Sequence, residues 1–406
     1  MIIKRPVELR RINDAKKWVL IYGRRKTGKT FLVENFVKYD EYFFVKRDKS
    51  IISKKDSRSI TYETFIEILK MVLKANKTVV VDEFHRLGDD FFDFLHYTKK
   101  EGKLILISST LFLSKKLFSA HSALLGFFVE ISISLISIKD CIAALKKFRL
   151  DKKQLVELAI LLREPISIEY FDEKKSARNT MSEILIGSAK TIPALTGEIF
   201  IEEERSISAI YEGIIRAIAT GKVISSEISS YLFAKKLIKK DDPSIIQQYL
   251  SNLVEFGVIR KIDIYGKNRF IYKLVSPLAK LFYYADERYN FSERRLNEIE
   301  IDRIIDEVMP KIVEDTVREF FAEKFGLKEA IAEAKDYDVD GCLLKFKKPA
   351  VVLEVKWKKQ VNKEDVTKAE KNLSKIYAGK KLLFVPNKRF VHSSILKIVD
   401  GSDCIL

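Results

Sequence analysis

The pattern of apolar and polar residues changes character near residue 140. Before that point, short apolar runs alternate with segments whose apolar residues recur at helical spacing, which predicts a parallel sheet wrapped by helices. Residues 1–17 can form a short helix ahead of the first strand, and further helices are predicted over Tyr62–Lys74 and Asp89–Lys99. The predicted strands are WVLIY from Trp18, EYFFVK from Glu41, TVVVDE from Thr78, KLILISS from Lys103 and FFVEISI from Phe127.

Beyond residue 140 the pattern is first helical, over residues 141–205, and then changes again. Residues 206–276 predict three short helices followed by a hairpin, the order of a winged helix-turn-helix. These helices are expected at Ile207–Ala219, Ser225–Phe233 and Pro243–Phe256, and the strands at Val258–Tyr265 and Arg269–Leu274. Residues 277–300 predict a helical linker. Residues 301–406 begin with a helix and continue with the strand Val351–Trp357, an amphipathic helix over Lys363–Tyr377 and the strand Lys381–Val385.

Composition narrows the class of protein. A chain of 406 residues exceeds what one core usually serves, so two or three domains are expected. The formal net charge of +17 favours an anionic partner such as nucleic acid, although a lysine-rich surface is the alternative explanation. Three distant cysteines without a C-x-x-C indicate a reducing compartment. Because no apolar run reaches the roughly 18 residues of a membrane span, the sequence predicts a cytoplasmic protein without membrane contact.

The strongest local signal follows the first strand directly. The octet Gly23-Arg24-Arg25-Lys26-Thr27-Gly28-Lys29-Thr30 fits the phosphate-loop pattern G-x-x-x-x-G-K-[ST] at every position. Its glycines let the backbone amides turn towards an anion, and the N-terminus of the next helix adds a positive dipole. The octet is therefore predicted to bind the phosphates of ATP, and its last residue to hold Mg²⁺.

A second motif, Thr78 to Glu83, is an apolar strand that ends in two carboxylates. After a phosphate loop, this pattern predicts that Asp82 helps to hold Mg²⁺ and that Glu83 orients or deprotonates the attacking water. Nothing matches the N-K-x-D signature by which GTPases read guanine, so ATP is preferred over GTP.

Together, YGRRKTGKT, VVVDEFHRL and LILISST resemble the archaeal ATPases of the STAND and AAA+ type P-loop group. The resemblance implies an α/β fold in which a P-loop parallel-sheet core (1–140) is followed by a helical lid (141–205), a winged helix (206–276), a linker (277–300) and a nuclease-like α/β domain (301–406). It also implies that Ser108 or Ser109 senses the terminal phosphate, although a plain strand-end turn is equally compatible with these serines. The family usually has Gly-Arg-Arg where this chain has Phe127 and Phe128, which puts efficient hydrolysis in doubt. Arg86, Arg149 or Arg163 are candidates to compensate.

The C-terminal region holds a second candidate site. Glu354 and Lys356 alternate on one strand, Asp338 and Asp340 precede it, and Glu314 lies on the preceding helix. This is the arrangement of a PD-(D/E)XK restriction-endonuclease-like site, in which carboxylates hold Mg²⁺ and the lysine activates water beside a phosphodiester. A solvated strand with alternating charges is the alternative, and the choice between Asp338 and Asp340 as ligand stays open.

The leading hypothesis is an ATPase associated with nucleic acid, with a nuclease-like C-terminal domain. DNA is expected to be held through its phosphates with low sequence specificity, by Lys235, Lys236, Lys239, Lys240, Lys267 and Arg269, while Gln247, Gln248 and Asn252 are the candidates for base contacts. The alternative is a slow STAND-type switch or scaffold with a protein-binding winged helix and an inactive C-terminal domain. Both hypotheses take ATP, ADP and Mg²⁺ as ligands, and a homo-oligomer or a protein partner is left open.

Overall fold

The computed structural model describes residues 1–109, 126–202 and 208–404. The chain divides into two compact units. The first unit comprises Lys4–Leu135 and Leu195–Ser206, and the second comprises Met1–Ile3, Ile136–Ala194 and Ile207–Leu406.

The first unit is a seven-stranded sheet in the order β4-β3-β2-β5-β6-β1-β7. Its strands are β1 (Trp18–Tyr22), β2 (Glu41–Val45), β3 (Ile51–Ser53), β4 (Arg58–Ile60), β5 (Thr78–Asp82), β6 (Lys103–Ser108) and β7 (Phe128–Ser132). Strands β2, β5, β6, β1 and β7 are parallel, as predicted, and β3 and β4 extend the sheet in antiparallel fashion. Helices cover Pro6–Asn13, Lys29–Phe36, Tyr62–Lys74 and Asp89–Tyr97, with a 3₁₀ turn at Phe84–Arg86.

Both faces of this sheet are buried, which explains why its central strands are almost continuously apolar. Leu20, Val81 and Leu106 pack into the core on one face, and Val19, Val80 and Ile105 pack into the core on the other. Strand β6 lies between β1 and β5 and is parallel to both. The carboxyl ends of β1 and β5 therefore lie at the same edge of the sheet. That edge carries the octet 23–30 and the pair Asp82-Glu83.

The second unit begins with helices and continues into two four-stranded sheets. Its helices are Ile138–Leu145, Lys152–Leu161, Ala177–Ser188, Ala209–Ala219, Ser225–Ala234, Gln247–Glu255, Pro277–Tyr289, Glu298–Phe325 and Lys363–Ser374, and Thr191–Glu202 crosses from the second unit into the first. Short 3₁₀ segments lie at Pro165–Tyr170, Pro243–Ile246, Lys388–Phe390 and Gly401–Cys404. The predicted helix Pro243–Phe256 therefore starts with a 3₁₀ segment and becomes α-helical at Gln247.

The strands of the second unit are β8 (Ile259–Ile264), β9 (Phe270–Leu274), β10 (Ala330–Glu333), β11 (Asp338–Val339), β12 (Gly341–Lys345), β13 (Lys348–Val355), β14 (Lys380–Phe384) and β15 (Lys397–Val399). One sheet has the order β11-β10-β8-β9 and the other β12-β13-β14-β15. Strand β10 pairs in parallel with β8, so the predicted wing hairpin belongs to a sheet that includes later parts of the chain. In the other sheet, β12 and β13 are antiparallel, and β13, β14 and β15 are parallel.

No single helix among the described residues is long and apolar enough to cross a membrane. One bent pair, Ala177–Ser188 with Thr191–Ile201, passes that test by length and composition only.

Candidate functional site

The octet 23–30 forms a tight loop that the first unit holds from several sides. Gly23 has φ of +153°, and a Cβ atom there would lie 2.0 Å from the carbonyl oxygen of Ile133. Gly28 is left-handed, with φ of 86°, and begins the helix Lys29–Phe36. The guanidinium of buried Arg5 donates to the carbonyl of Thr27 at 2.7 Å. Arg5 is a contributor that the sequence pattern did not reveal.

The lysine of the loop points back over the loop backbone. The Nζ of Lys29 donates to the carbonyl oxygens of Gly23 and Arg24, at 2.7 Å each, and its side chain is buried. The hydroxyl of Thr27 also donates to the carbonyl of Arg24, at 2.8 Å. These contacts hold the positive charge of Lys29 inside the loop, where the loop amides would bind an anion.

Thr30 and Asp82 meet across the edge of the sheet. The Thr30 hydroxyl donates to Oδ2 of Asp82 at 2.7 Å, and the Tyr42 hydroxyl donates to the same oxygen at 2.8 Å. Asp82 is fully buried, and burial raises its pKa, while the two hydroxyl donors oppose that rise. Burial and the charge of Asp82 together raise the pKa of Tyr42 far above its usual value, so Tyr42 stays a donor. Threonine and aspartate oxygens are the hard ligands that Mg²⁺ prefers.

Glu83 is placed beside Asp82 and is held by three neighbours. Its backbone is left-handed, with φ of 57°, and strand β5 ends at the preceding residue. Its Oε2 accepts from the Ser109 hydroxyl at 3.0 Å and lies 3.1 Å from Nη2 of Arg86 and 3.4 Å from Nε2 of His85. The same arginine donates through Nη1 to the carbonyl of Val45 at 2.7 Å. Arg86, a candidate compensating cation, is therefore engaged with Glu83.

The predicted sensor serines both lie next to this network. Ser108 and Ser109 are buried, and Ser108 lies 3.2 Å from Nδ1 of His85. Phe127 and Phe128, the two residues expected to replace arginines, have structural contacts. Phe128 packs against Trp18 with a ring-centroid distance of 5.9 Å, and Lys100 lies 3.5 Å above the ring of Phe127.

A distant part of the chain also reaches the loop. Glu198, on the helix Thr191–Glu202, lies 3.2 Å from Nε of Arg25 and 3.9 Å from Nη2 of Arg47. Nothing in the sequence pattern around Glu198 indicated this ion pair, because its partners lie about 150 residues or more earlier in the chain.

The C-terminal candidate residues gather at one end of the sheet β12-β13-β14-β15. The Nζ of Lys356 lies 2.5 Å from Oε1 of Glu354, which agrees with their predicted position on one face. Asp340 accepts from the backbone amide of Val355 through Oδ2, at 2.8 Å. Burial and the charge of Asp340 raise the pKa of Glu354 to about 7, and the same two causes raise the pKa of Glu314 to about 7.

Two details bear on which C-terminal carboxylates could act together. Asp340 directly neighbours the Glu354 strand, whereas Asp338 is exposed on β11. Oε2 of Glu354 is buried and has no hydrogen-bond partner among the described residues. The carboxylates are nonetheless not clustered as in a preformed metal centre, since no group of three or more His, Cys, Asp and Glu side chains in residues 1–109, 126–202 and 208–404 could hold a metal ion as placed.

The predicted DNA-contacting residues fall into two groups. Lys236, Lys239 and Lys240 are exposed, and Lys235 pairs with Glu287 at 2.8 Å. In the hairpin, Lys267 pairs with Glu333 at 3.0 Å.

The prediction that Asn252 reads bases is wrong. Its side chain is buried and donates to the Tyr211 hydroxyl at 2.6 Å. Gln247 and Gln248 are exposed.

Comparison with known proteins gives one family match. Residues 15–141 match a family model described as an AAA domain, which covers the octet, Asp82, Glu83 and both serines but none of the C-terminal sheet. No curated protein matches the chain.

Solved structures resemble the chain only distantly. The Aeropyrum pernix ORC2 protein in its ADPNP-ADP complexes is 12% identical, with a TM-score of 0.36 over 75% of this chain and 91% of that one. The Aeropyrum pernix ORC1 protein in complex with DNA is 14% identical, with a TM-score of 0.32 over 72% of this chain and 94% of that one. A STAND ATPase with a tetratricopeptide repeat sensor from Pyrococcus horikoshii is 14% identical, with a TM-score of 0.31 over 79% of this chain and 51% of that one.

Proposed function

We propose that this chain, whose residues 15–141 match an AAA domain, is an ATPase that acts in association with nucleic acid. The observation that carries the ATPase proposal is the hydrogen bond of 2.7 Å between Thr30, at the end of the phosphate loop, and Asp82 at the end of β5. It joins the two motifs that nucleotide hydrolysis requires.

The residues of this edge have distinct roles in the proposal. The loop amides and Lys29 bind the phosphates of ATP, and the phosphate oxygens replace the carbonyls of Gly23 and Arg24 as partners of the lysine. Thr30 and Asp82 would hold Mg²⁺, which would neutralise charge on the phosphates when bound. Glu83 orients the attacking water, and Ser109 keeps the carboxylate of Glu83 in place.

The test is nucleotide binding and turnover by a Lys29→Ala variant. We expect Mg²⁺-dependent release of phosphate by the wild type and its loss, by a factor of 100 or more, in the variant, because a charge at the transferring phosphoryl group is removed. Lys38→Ala, at an exposed lysine of the same unit, is the matched control and should retain full activity. Equal turnover in the wild type and Lys29→Ala would refute the proposal.

A slow nucleotide switch is the second candidate function, and the contacts of Glu83 favour it. Arg86 and His85 both lie within 3.4 Å of the carboxylate that would activate water, and Phe127 and Phe128 replace the arginines of related ATPases. If Arg86 restrains Glu83, Arg86→Ala should raise the single-turnover hydrolysis rate without tightening ATP binding. A lower rate would mean that Arg86 supports hydrolysis.

The C-terminal domain is proposed to be PD-(D/E)XK nuclease-like. Two observations support a divalent-cation site: Oε2 of Glu354 has no hydrogen-bond partner among the described residues, and burial and the charge of Asp340 raise the pKa of Glu354. The carboxylates would have to draw together to hold the cation, which when bound would polarise a phosphodiester. In this proposal Lys356, whose Nζ contacts Oε1 of Glu354, positions the attacking water. We expect Mg²⁺-dependent cleavage of DNA that is lost in Glu354→Gln and in Lys356→Ala, whereas Asp338→Asn, at an exposed neighbour, should cut normally. Cleavage that survives both of the first two substitutions would exclude this site.

Nucleic-acid association is proposed to include the exposed lysines 236, 239 and 240 of the winged-helix-like region. Contacts to phosphates release counterions, so binding of a DNA duplex should weaken steeply with added salt. We expect Lys239→Glu with Lys240→Glu to reduce both the affinity and the salt dependence. Lys267→Glu should have less effect, because Lys267 already pairs with Glu333. Absence of DNA binding at low salt would instead favour the switch or scaffold.

A further inference from the structure

The C-terminal sheet has a second end, away from Asp340 and Glu354, that carries exposed basic and aromatic side chains. Strand β13 runs from Lys348 to Val355, so its two ends are separated by roughly 20 Å or slightly more at ~3.3 Å per residue. Glu354 lies near its last residue. We call the other end the rim and define it by Lys345, Phe346, Lys347, Lys348, Tyr377, Lys380 and Lys381.

The two aromatic side chains of the rim are almost fully in solvent. Phe346 is 89% exposed and Tyr377 is 98% exposed, values unusual for rings of this size. Phe346 and Lys347 form the turn between β12 and β13, both with left-handed backbones, at φ of 48° and 67°. Such turns normally use Asn, Asp or Gly, so a phenylalanine here is a strained choice that displays its ring at the tip of a hairpin.

The two halves of the rim are neighbours in space. Strand β13 pairs in parallel with β14, with Val351 opposite Lys380. Gly379 is close enough to β13 that a Cβ atom there would lie 3.7 Å from the carbonyl oxygen of Ala350. The segments 341–350 and 373–381 contain no Asp or Glu. The rim therefore carries five lysines and two protruding rings, and Asp336, which reaches the segment 373–381 from elsewhere in the chain, is paired with Lys375.

We propose that the rim binds single-stranded nucleic acid. Lysines contact the phosphates of a strand, and exposed aromatic rings stack on unpaired bases, which is how proteins hold single strands without reading sequence. An anionic membrane shares the attraction to lysine, but stable insertion needs an extended apolar face. The rim offers two separate rings, one of which carries a hydroxyl. The inference rests on the nucleic-acid part of the proposed function and is independent of ATP turnover.

The rim would hold a strand at a distance from the Glu354 site. Because β13 connects the two ends directly, a strand bound at the rim is anchored about 20 Å from the carboxylates. The rim thereby favours substrates with a single-stranded portion long enough to span that distance.

The experiment is fluorescence anisotropy of the full chain with labelled thymidine and uridine oligonucleotides of about 20 nucleotides. Stacking of a base on an aromatic ring is lost on substitution by alanine, so the double variant Phe346→Ala, Tyr377→Ala should bind at least 10-fold more weakly. Phe390→Ala, which removes another ring that is 79% exposed in the same unit, should bind within twofold of the wild type. Equal binding by the double variant and the wild type would overturn the proposal.

Two further variants identify the type of contact. Phe346→Leu with Tyr377→Leu keeps the apolar character but removes stacking, so it should be as weak as the alanine variant. Restored binding by the leucine variant would overturn stacking as the mechanism. Lys347→Glu with Lys380→Glu should reduce the slope of affinity against salt, since each phosphate contact on a single strand contributes about 0.7 to that slope. An unchanged slope would exclude the lysines as phosphate contacts.

A membrane and the ATPase proposal are tested separately. Binding to phosphatidylserine vesicles is measured for the wild type and for the double alanine variant. If the variant no longer binds vesicles but still binds the oligonucleotide as the wild type does, the rim is a lipid-binding surface and the proposal is wrong. Lys29→Ala should bind the oligonucleotide normally. If the wild type binds the oligonucleotide through the rim but does not turn over ATP, the rim proposal stands and the ATPase proposal is refuted. If the wild type turns over ATP but its oligonucleotide binding does not depend on the rim, the ATPase proposal stands and the rim proposal is refuted.

Discussion

Gly23 lies where β1 passes into the phosphate loop, and the space around it admits only a hydrogen. A Cβ atom would lie 2.0 Å from the Ile133 carbonyl oxygen, and φ of +153° disfavours any L side chain. The close approach of β1 and the segment after β7 therefore fixes the first residue of the loop. The glycine serves the packing of the first unit as well as the shape of the loop.

The first prediction follows from this contact. Gly23→Ala should lower the free energy of unfolding by about 2 kcal/mol or more, because backbone atoms must move to remove the clash. Urea unfolding of the full chain measures the effect. Gly88→Ala is the control, since nothing lies within 4 Å of a Cβ atom there and its φ is negative, and it should change stability by about 0.5 kcal/mol at most. A loss of stability in Gly88→Ala as large as that in Gly23→Ala would contradict the steric explanation.

At the same scale, the sequence predicted where those candidate residues lie that belong to contiguous motifs. The octet and Asp82-Glu83 are contiguous motifs at strand ends, so their placement follows from the strands themselves. Arg5 and Tyr42 could not be found in this way, because each reaches the site through a contact made only when distant segments fold together. Asp340 could not be separated from Asp338 for a related reason, since the difference lies in a hydrogen bond to the Val355 amide.

At the scale of elements, a buried ionic cluster joins the predicted wing to the helix Glu298–Phe325. Asp315, on that helix, lies 2.7 Å from Arg318, 2.9 Å from Lys280 and 3.3 Å from Lys273 of β9. Asp315 and Arg318 are buried. Together with the pairing of β10 and β8, this cluster ties the hairpin into the second unit, so its β8 edge is not free to enter a groove of DNA.

The second prediction concerns this cluster. Asp315→Asn should destabilise the chain by about 3–5 kcal/mol, because it leaves buried cations without their shared counter-charge. Chemical unfolding reports the loss. Asp336→Asn removes an ion pair with Lys375 between two exposed side chains and should change the free energy of unfolding far less than Asp315→Asn does, because water screens exposed pairs. Similar small effects at both positions would mean that the cluster is not energetically central.

A pH dependence follows from the same residue. Burial opposes ionisation of Asp315, but Lys280, Lys273 and Arg318 outweigh it and hold its pKa well below the usual range. A carboxyl with a lowered pKa stabilises the fold above its unfolded pKa of about 4 and loses that contribution as the pH falls towards its folded pKa. The stability difference between the wild type and Asp315→Asn should therefore shrink below pH 4. Urea titrations at pH 6, 4 and 3 test this, and a difference that grows on acidification would contradict the assignment.

Elements were predicted unevenly for a physical reason. The parallel strands of the first unit are buried on both faces and read as apolar runs, and the helix Tyr62–Lys74 buries a recognisable side. The single helix Glu298–Phe325 spans the boundary that was predicted between residues 300 and 301. Strands β3, β4, β10 and β15 were not predicted. They have three or four residues each, and β4 is largely exposed, so pairing with neighbouring strands, which no local pattern records, defines them.

At the scale of the whole molecule, the two units are each built from segments that are separate in the chain. Leu195–Ser206 belongs to the first unit although the residues on either side of it belong to the second. Its Glu198 pairs with Arg25 of the phosphate loop and with Arg47. Boundaries drawn along the sequence cannot anticipate a segment that returns to an earlier unit, because composition and periodicity there do not change.

The last prediction joins the phosphate loop to that returning segment. Phosphates of ATP bound at the octet would attract Arg25 and so weaken its ion pair with Glu198. An ion pair between partly exposed side chains contributes about 0.2–1 kcal/mol. Amide hydrogen exchange over residues 195–202 should therefore quicken by up to about fivefold when ATP and Mg²⁺ are added, while exchange over residues 23–30 slows. Glu198→Gln should already exchange faster without nucleotide and change little on adding it. Slower exchange of residues 195–202 with ATP in the wild type would show that nucleotide strengthens the attachment of this segment, and would refute competition between phosphate and Glu198 for the arginine.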